Sequence, residues 1–175
     1  MGSAQGNYYP IDEHVSQLIL DQLPLHPNEK GFVNILKHQI VLTPHTDTNL
    51  ADDSPLTSDD LKNFCRTFIV PVVTQDTHTI VFDQHLQPGQ KGNEMDNYVN
   101  SLPSINRLGQ HTEYFSHEDR EQDWFTKLSI ETIFPWIAGD VLCFDRNKIH
   151  CGDNHIGKVK KYGIVIWTEF QQHDE

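Results

Sequence analysis

The chain is poor in the residues that usually announce a protein's class. Three cysteines (Cys65, Cys143 and Cys151) among 175 residues form no CxxC and cannot all pair. That argues against a disulfide scaffold and for reduced thiols in a cytoplasmic setting. No apolar run is long enough to span a bilayer and no signal-peptide core is present, so a membrane partner is not expected. Basic residues are scarce, with 13 Lys and Arg against 25 Asp and Glu, a formal charge of −12. This balance repels phosphate backbones and disfavours nucleic acid as a partner; the single basic run is Lys158-Val159-Lys160-Lys161. Internal repeats and low-complexity segments are also lacking.

What remains is globular in composition. A hydrophobic content of 37% over this length supports one domain, residues 1–175, with a core of its own; the first six residues read as a leader. Pro10 to Leu23 carries an apolar stripe of helical period, and Thr57 or Ser58 could cap a short helix through Cys65. Otherwise the chain reads as short strands bounded by turns: Phe32 to Leu42, Arg66 to Val73, His78 to Phe82, Leu128 to Phe134, Val141 to Phe144 and Tyr162 to Thr168. Many short strands with few helices predict a mainly β fold, a sandwich or barrel with helical decoration. Residues 84–127 interrupt this pattern with Gly, Pro and aromatic residues. The expectation is a lid folding over the open end of the fold, with a short helix from Ser116 and with Tyr114, Phe115, Trp124 and Phe125 walling the substrate side.

His45-Thr46-Asp47 and the distant His150 carry the chemistry. Two imidazoles and a carboxylate are the ligand set of a facial triad, which holds non-haem Fe(II) and leaves coordination positions open. In an extended segment His45 and Asp47 project from one face and can meet a single ion. An HxD tripeptide is itself weak, since roughly one arises by chance in a chain of this composition. The second copy, His117-Glu118-Asp119, follows Ser116 as a helix N-cap would precede a helix, where i and i+2 diverge. It reads as a solvated helix start. Cys151 reads as a core residue, His155 as a turn residue competing with His150, and Arg66 as either a ligand contact or an ion-pair partner.

The C-terminal pattern adds weight. Gly139-Asp140, an apolar strand, His150 and then Lys161-Tyr162-Gly163-Ile164-Val165-Ile166-Trp167 resemble the Fe(II)/2-oxoglutarate-dependent dioxygenases of the prolyl-hydroxylase-like and phytanoyl-hydroxylase-like branches. The resemblance covers roughly residues 31–83 and 129–170. It implies a double-stranded β-helix, a jelly-roll, cupin-like barrel, with Fe(II) on His45, Asp47 and His150. It also implies 2-oxoglutarate as co-substrate, anchored by Lys161 with Lys160 as rival, and hydroxylation of a small-molecule or peptide substrate with release of succinate and CO2. Arg66 could also contact the co-substrate, and Gly163 would leave room for it. A cupin-type metalloenzyme that does not use 2-oxoglutarate and a non-catalytic jelly-roll binding module remain alternatives on the same fold.

Overall fold

A computed structural model describes residues 7–38, 44–48, 57–59, 64–90, 95–153 and 161–170. The described residues form two antiparallel sheets with a few short helices. The strands are β1 (Asn7–Pro10), β2 (Glu29–His38), β3 (Phe64–Pro71), β4 (His78–His85), β5 (Ile130–Pro135), β6 (Leu142–Asp145), β7 (Lys148–Gly152) and β8 (Lys161–Phe170). The larger sheet runs β1-β2-β8-β3-β6 and the smaller β5-β4-β7. His45 joins the smaller sheet through an antiparallel bridge to His150 on β7. From β2 onward the chain therefore passes back and forth between sheets, with only β4 and β5 consecutive in one. The described strands do not close into the expected barrel.

Alternation along the paired strands assigns the faces. Leu36, Ile69, Leu142, Phe144 and Val165 of the larger sheet meet Val81 of the smaller one, with Trp136 between them. The opposite face of the larger sheet, Val33, Phe68 and Ile166, is covered by α1 (Glu13–Leu20) through Ile19 and Leu20. Gly31 permits that docking, because a Cβ there would stand 2.3 Å from Leu20 Cδ2. Asp12 caps α1 by accepting from the His14 and Val15 backbone N–H groups. Pro10, expected inside the helix, instead ends the edge strand β1, a position that needs no ladder donor.

The smaller sheet is apolar on both faces. Ile80, Phe82, Ile149 and Cys151 point away from the larger sheet, and Leu86, Val99, Leu108, Phe115, Phe125 and Leu128 pack over them. The segment expected to form a lid thus builds a second core on the sheet face opposite His150. The physical reason lies in β4, where Thr79-Ile80-Val81-Phe82 is buried without interruption, as in a strand covered on both sides. Ser116 caps a helix over His117–Arg120 with a full capping box to Asp119, as the sequence predicts.

Candidate metal centre

His45 and His150 are directly paired residues. The His45 N–H donates to the His150 carbonyl at 2.9 Å and the His150 N–H to the His45 carbonyl at 2.8 Å, which sets their rings on one side with centroids 4.3 Å apart. Asp47, two residues on, is brought to the same point by its backbone. Its N–H donates to the Arg146 carbonyl at 3.2 Å, and Arg146 Nη2 donates to the Asp47 carbonyl at 2.9 Å. The His150 Nε2 and Asp47 Oδ2 atoms stand 3.6 Å apart, and one ligand atom from each of the three residues lies within 4.8 Å of the others.

The donor chemistry fits a divalent cation. Metal bonds of about 2.0–2.2 Å at right angles place facial ligands about 3 Å apart, so a modest contraction of this cluster would close it on an ion. His150 Nδ1 lies 3.2 Å from the Lys148 carbonyl. Donation there commits that nitrogen's proton and leaves the Nε2 lone pair facing Asp47. The Thr67 hydroxyl donates to Asp47 Oδ2 at 2.7 Å and orients the carboxylate. Both Asp47 and His150 are buried, and the Phe144 ring packs 4.8 Å from that of His150. Two buried imidazole and carboxylate groups in contact, each steered by a neighbour, make a metal site compatible with the chain.

Around this cluster stand residues that sequence reasoning passed over. Tyr8 of β1 packs edge-on to Trp167 at 4.9 Å, and burial, with the Asp47 carboxylate adding to it, pushes its phenol pKa up. Trp167 is paired with Thr67 across the ladder, and its Nε1 is a buried donor with no hydrogen-bond partner among the described residues. Arg146, buried and also bonded to Glu169 Oε1 at 2.7 Å, was legible only as part of a turn. Alternation could have placed Thr67 and Trp167 on the site's face, but nothing in the sequence pointed to Tyr8 or Arg146.

Lys161 is buried on the inner face, and its Nζ donates to the His78 carbonyl and lies 4.9 Å from the Trp136 ring. Burial pulls its pKa down to about 8, against the opposing pull of Asp153 and Cys151. The space beside Gly163 is not open as expected: a Cβ there would meet the Trp136 ring at 3.0 Å. Trp136 is held in that place by donating to the Thr79 hydroxyl at 2.9 Å.

Arg66 is not brought to the site. It lies on the outer face of the larger sheet, where Nε donates to Glu29 Oε1 at 3.1 Å, Nη2 donates to Glu29 Oε2 and to the Pro24 carbonyl, and the guanidinium stacks on Phe68. Burial works to raise the Glu29 pKa, but its bonds from Arg66 and Thr168 outweigh that and hold it below the usual range. Arg66 is an ion-pair partner because Thr67, its neighbour, is the residue that faces Asp47. His117 lies exposed on its helix, 3.5 Å from Glu121. Cys151 is a core residue on the far face of β7. His155, Lys160 and the Cys65 side chain lie outside the described residues, as do residues 60–63 of the expected helix, but that helix does not run through Cys65, whose backbone belongs to β3.

No protein-family model, curated protein or solved structure matches the chain. No family is assigned to it.

Proposed function

We propose that the protein is an Fe(II)- and 2-oxoglutarate-dependent dioxygenase on a jelly-roll framework. The observation that carries this reading is the presence, between the two sheets, of both the His45-Asp47-His150 cluster and a buried lysine. No described carboxylate lies within ion-pair distance of that lysine. A buried cation normally has an anionic partner. Asp153, next to Lys161, is three residues along the chain from His150, about 10 Å at the rise of a strand. A five-carbon diacid that binds a metal at one end and donors at the other spans a similar distance, about 10 Å. The strand order supports the framework: β2, β3, β6 and β8 lie in one sheet, and the His45 segment, β4, β5 and β7 in the other.

His45, Asp47 and His150 would hold the iron, and Lys161 would pair with the distal carboxylate of the co-substrate. Bound there, the iron and 2-oxoglutarate supply activation of O2, with succinate and CO2 released as a substrate is hydroxylated. The chain's own residues orient and shield. Thr67 and Arg146 fix Asp47, the Lys148 carbonyl fixes the His150 tautomer, and Phe144, Tyr8 and Trp167 keep the surroundings dry.

Iron-dependent release of succinate from 2-oxoglutarate, without added substrate, tests the reading. His45→Ala and His150→Ala should each abolish succinate release and iron binding. His117→Ala, in the exposed decoy motif, should match the wild type. Wild-type protein that binds iron yet releases no succinate, or turnover surviving in either triad variant, would overturn the proposal.

A further inference from the structure

Lys161 and Asp153 are neighbours that do not pair. Asp153 is buried, and its backbone N–H donates at 3.2 Å to the His78 carbonyl that also accepts from Lys161 Nζ. Each carboxylate oxygen is already engaged. Oδ1 accepts from the Thr77 hydroxyl at 2.5 Å, and Oδ2 lies 2.8 Å from His78 Nδ1. These two contacts fix where the carboxylate sits, and Thr77 is itself buried.

The geometry points to Asp153 as a positioning residue for anion binding at Lys161. Thr77 and His78 hold its carboxylate near the ammonium but beyond ion-pair distance, so the lysine stays charged without a direct carboxylate partner among the described residues until a ligand carboxylate arrives. Each alternative arrangement fails for a physical reason. A lysine paired with Asp153 would have to break that pair for every incoming anion. A lysine with no carboxylate nearby would yield to desolvation and shed its proton. An engaged but adjacent carboxylate avoids both. The ligand class is a molecule whose carboxylate reaches Lys161 while its other end lies at the metal. This rests on the reading of Lys161 as the co-substrate anchor, but it makes a separate claim about Asp153.

Calorimetric titration of 2-oxoglutarate into the manganese-loaded protein provides the first arm, since other divalent ions can occupy such a site. Asp153→Asn should weaken 2-oxoglutarate binding about twofold at pH 7 and, as pH passes the Lys161 value of about 8, toward about tenfold by pH 9, the effect of about one pKa unit on its charged fraction. Thr77→Val frees the carboxylate to capture Lys161 and should weaken binding in the same direction, whereas Thr77→Ser keeps the hydroxyl and should match the wild type. Both weakened variants should raise KM for 2-oxoglutarate with kcat and Mn(II) affinity nearly unchanged, a split that general damage would not produce. The second arm needs no co-substrate. Lysine side-chain NMR at pH 7 should show Lys161 charged in the wild type and in Thr77→Val but partly neutral in Asp153→Asn. Wild-type affinity in both variants, or a fully charged Lys161 in Asp153→Asn, would overturn the inference. A wild-type protein that binds no 2-oxoglutarate would end the co-substrate reading instead and leave Asp153 to be judged on the NMR arm.

Discussion

Replacing Lys161 by methionine should make the protein more stable while removing its response to 2-oxoglutarate. The side chain is buried at 4% exposure, and burial takes its pKa from 10.5 to about 8. Below the folded value the lysine is charged in both folded and unfolded chains, so the full desolvation penalty is present at pH 7. A depression of this size corresponds to about 3 kcal/mol. The lost bond from Nζ to the His78 carbonyl offsets about 1 kcal/mol of that, and the carbonyl keeps the Asp153 N–H as a donor. The expected net gain from Lys161→Met, which fills a similar volume, is about 2 kcal/mol at pH 7.

The pH dependence gives the prediction its direction. Between the folded value of about 8 and the unfolded value of 10.5 the unfolded chain binds more protons, so the wild type gains stability as pH rises through that window. The methionine variant lacks this contribution. Its advantage should therefore be full at pH 7, shrink from about pH 8 and, because the wild type regains most of the roughly 3 kcal/mol across the window, turn into a small deficit by about pH 10.5. Urea unfolding of both proteins across that range, without metal, measures the difference directly, and groups common to both cancel. Adding 2-oxoglutarate and Mn(II) should raise the wild-type midpoint and leave the variant unmoved by the acid, since a ligand stabilises only the state that binds it. A variant less stable than the wild type at pH 7, or a stability difference flat from pH 7 to 10.5, would refute the reasoning.

Two further outcomes follow from the cluster itself. Thr67→Val removes the hydroxyl that orients Asp47 Oδ2 at 2.7 Å, and metal affinity should fall by about tenfold or more while the fold is retained; equal affinity by competition with a chelator would dismiss Thr67 as a positioning group. The buried, unpartnered Nε1 of Trp167 should report ligand binding beside the metal. Its indole proton resonance should shift when Zn(II) and 2-oxoglutarate are added together, while that of Trp124, packed in the outer core on the far face of the smaller sheet, stays in place.

Much of the framework was legible because the strands obey simple periods. His45 and Asp47 were paired by i, i+2 spacing, and the alternation of β8 puts Lys161 on the inner face with Val165. The decoy at His117 was separable from the triad because Ser116 and Asp119 spell a helix start. The limits were equally physical. Residues 66–71 are Arg-Thr-Phe-Ile-Val-Pro, with apolar side chains on both faces, so alternation could not say which side Arg66 takes. The strand β7 was missed because five residues flanked by polar turns carry no period. The destination of residues 84–127 was hidden for a related reason: a long aromatic-rich segment needs an apolar surface, and only the unbroken run Ile80-Val81-Phe82 hinted that the smaller sheet offered one on its far side.

That last misplacement explains how the sandwich tolerates so polar an interior. Asp47, Thr67, Thr79, His150 and Lys161 are all buried between or at the edges of the two sheets, and groups of this kind weaken a core unless each is bonded. A two-layer sandwich relying on its inner face alone would have only the layer of Leu36, Ile69, Val81, Trp136, Leu142, Phe144 and Val165 to offset them. Here each sheet has a second apolar face under cover. Ile19 and Leu20 of α1 close one side, and Leu86, Val99, Leu108, Phe115, Phe125 and Leu128 close the other. Fully burying each such side chain stabilises by about 1.5–3 kcal/mol, so the two outer cores can carry the fold while the inner one holds charge. Ile149 and His150 show the division on consecutive residues of β7. The first is sealed in the outer core, the second turns inward to Asp47, and the strand that anchors one thereby aims the other.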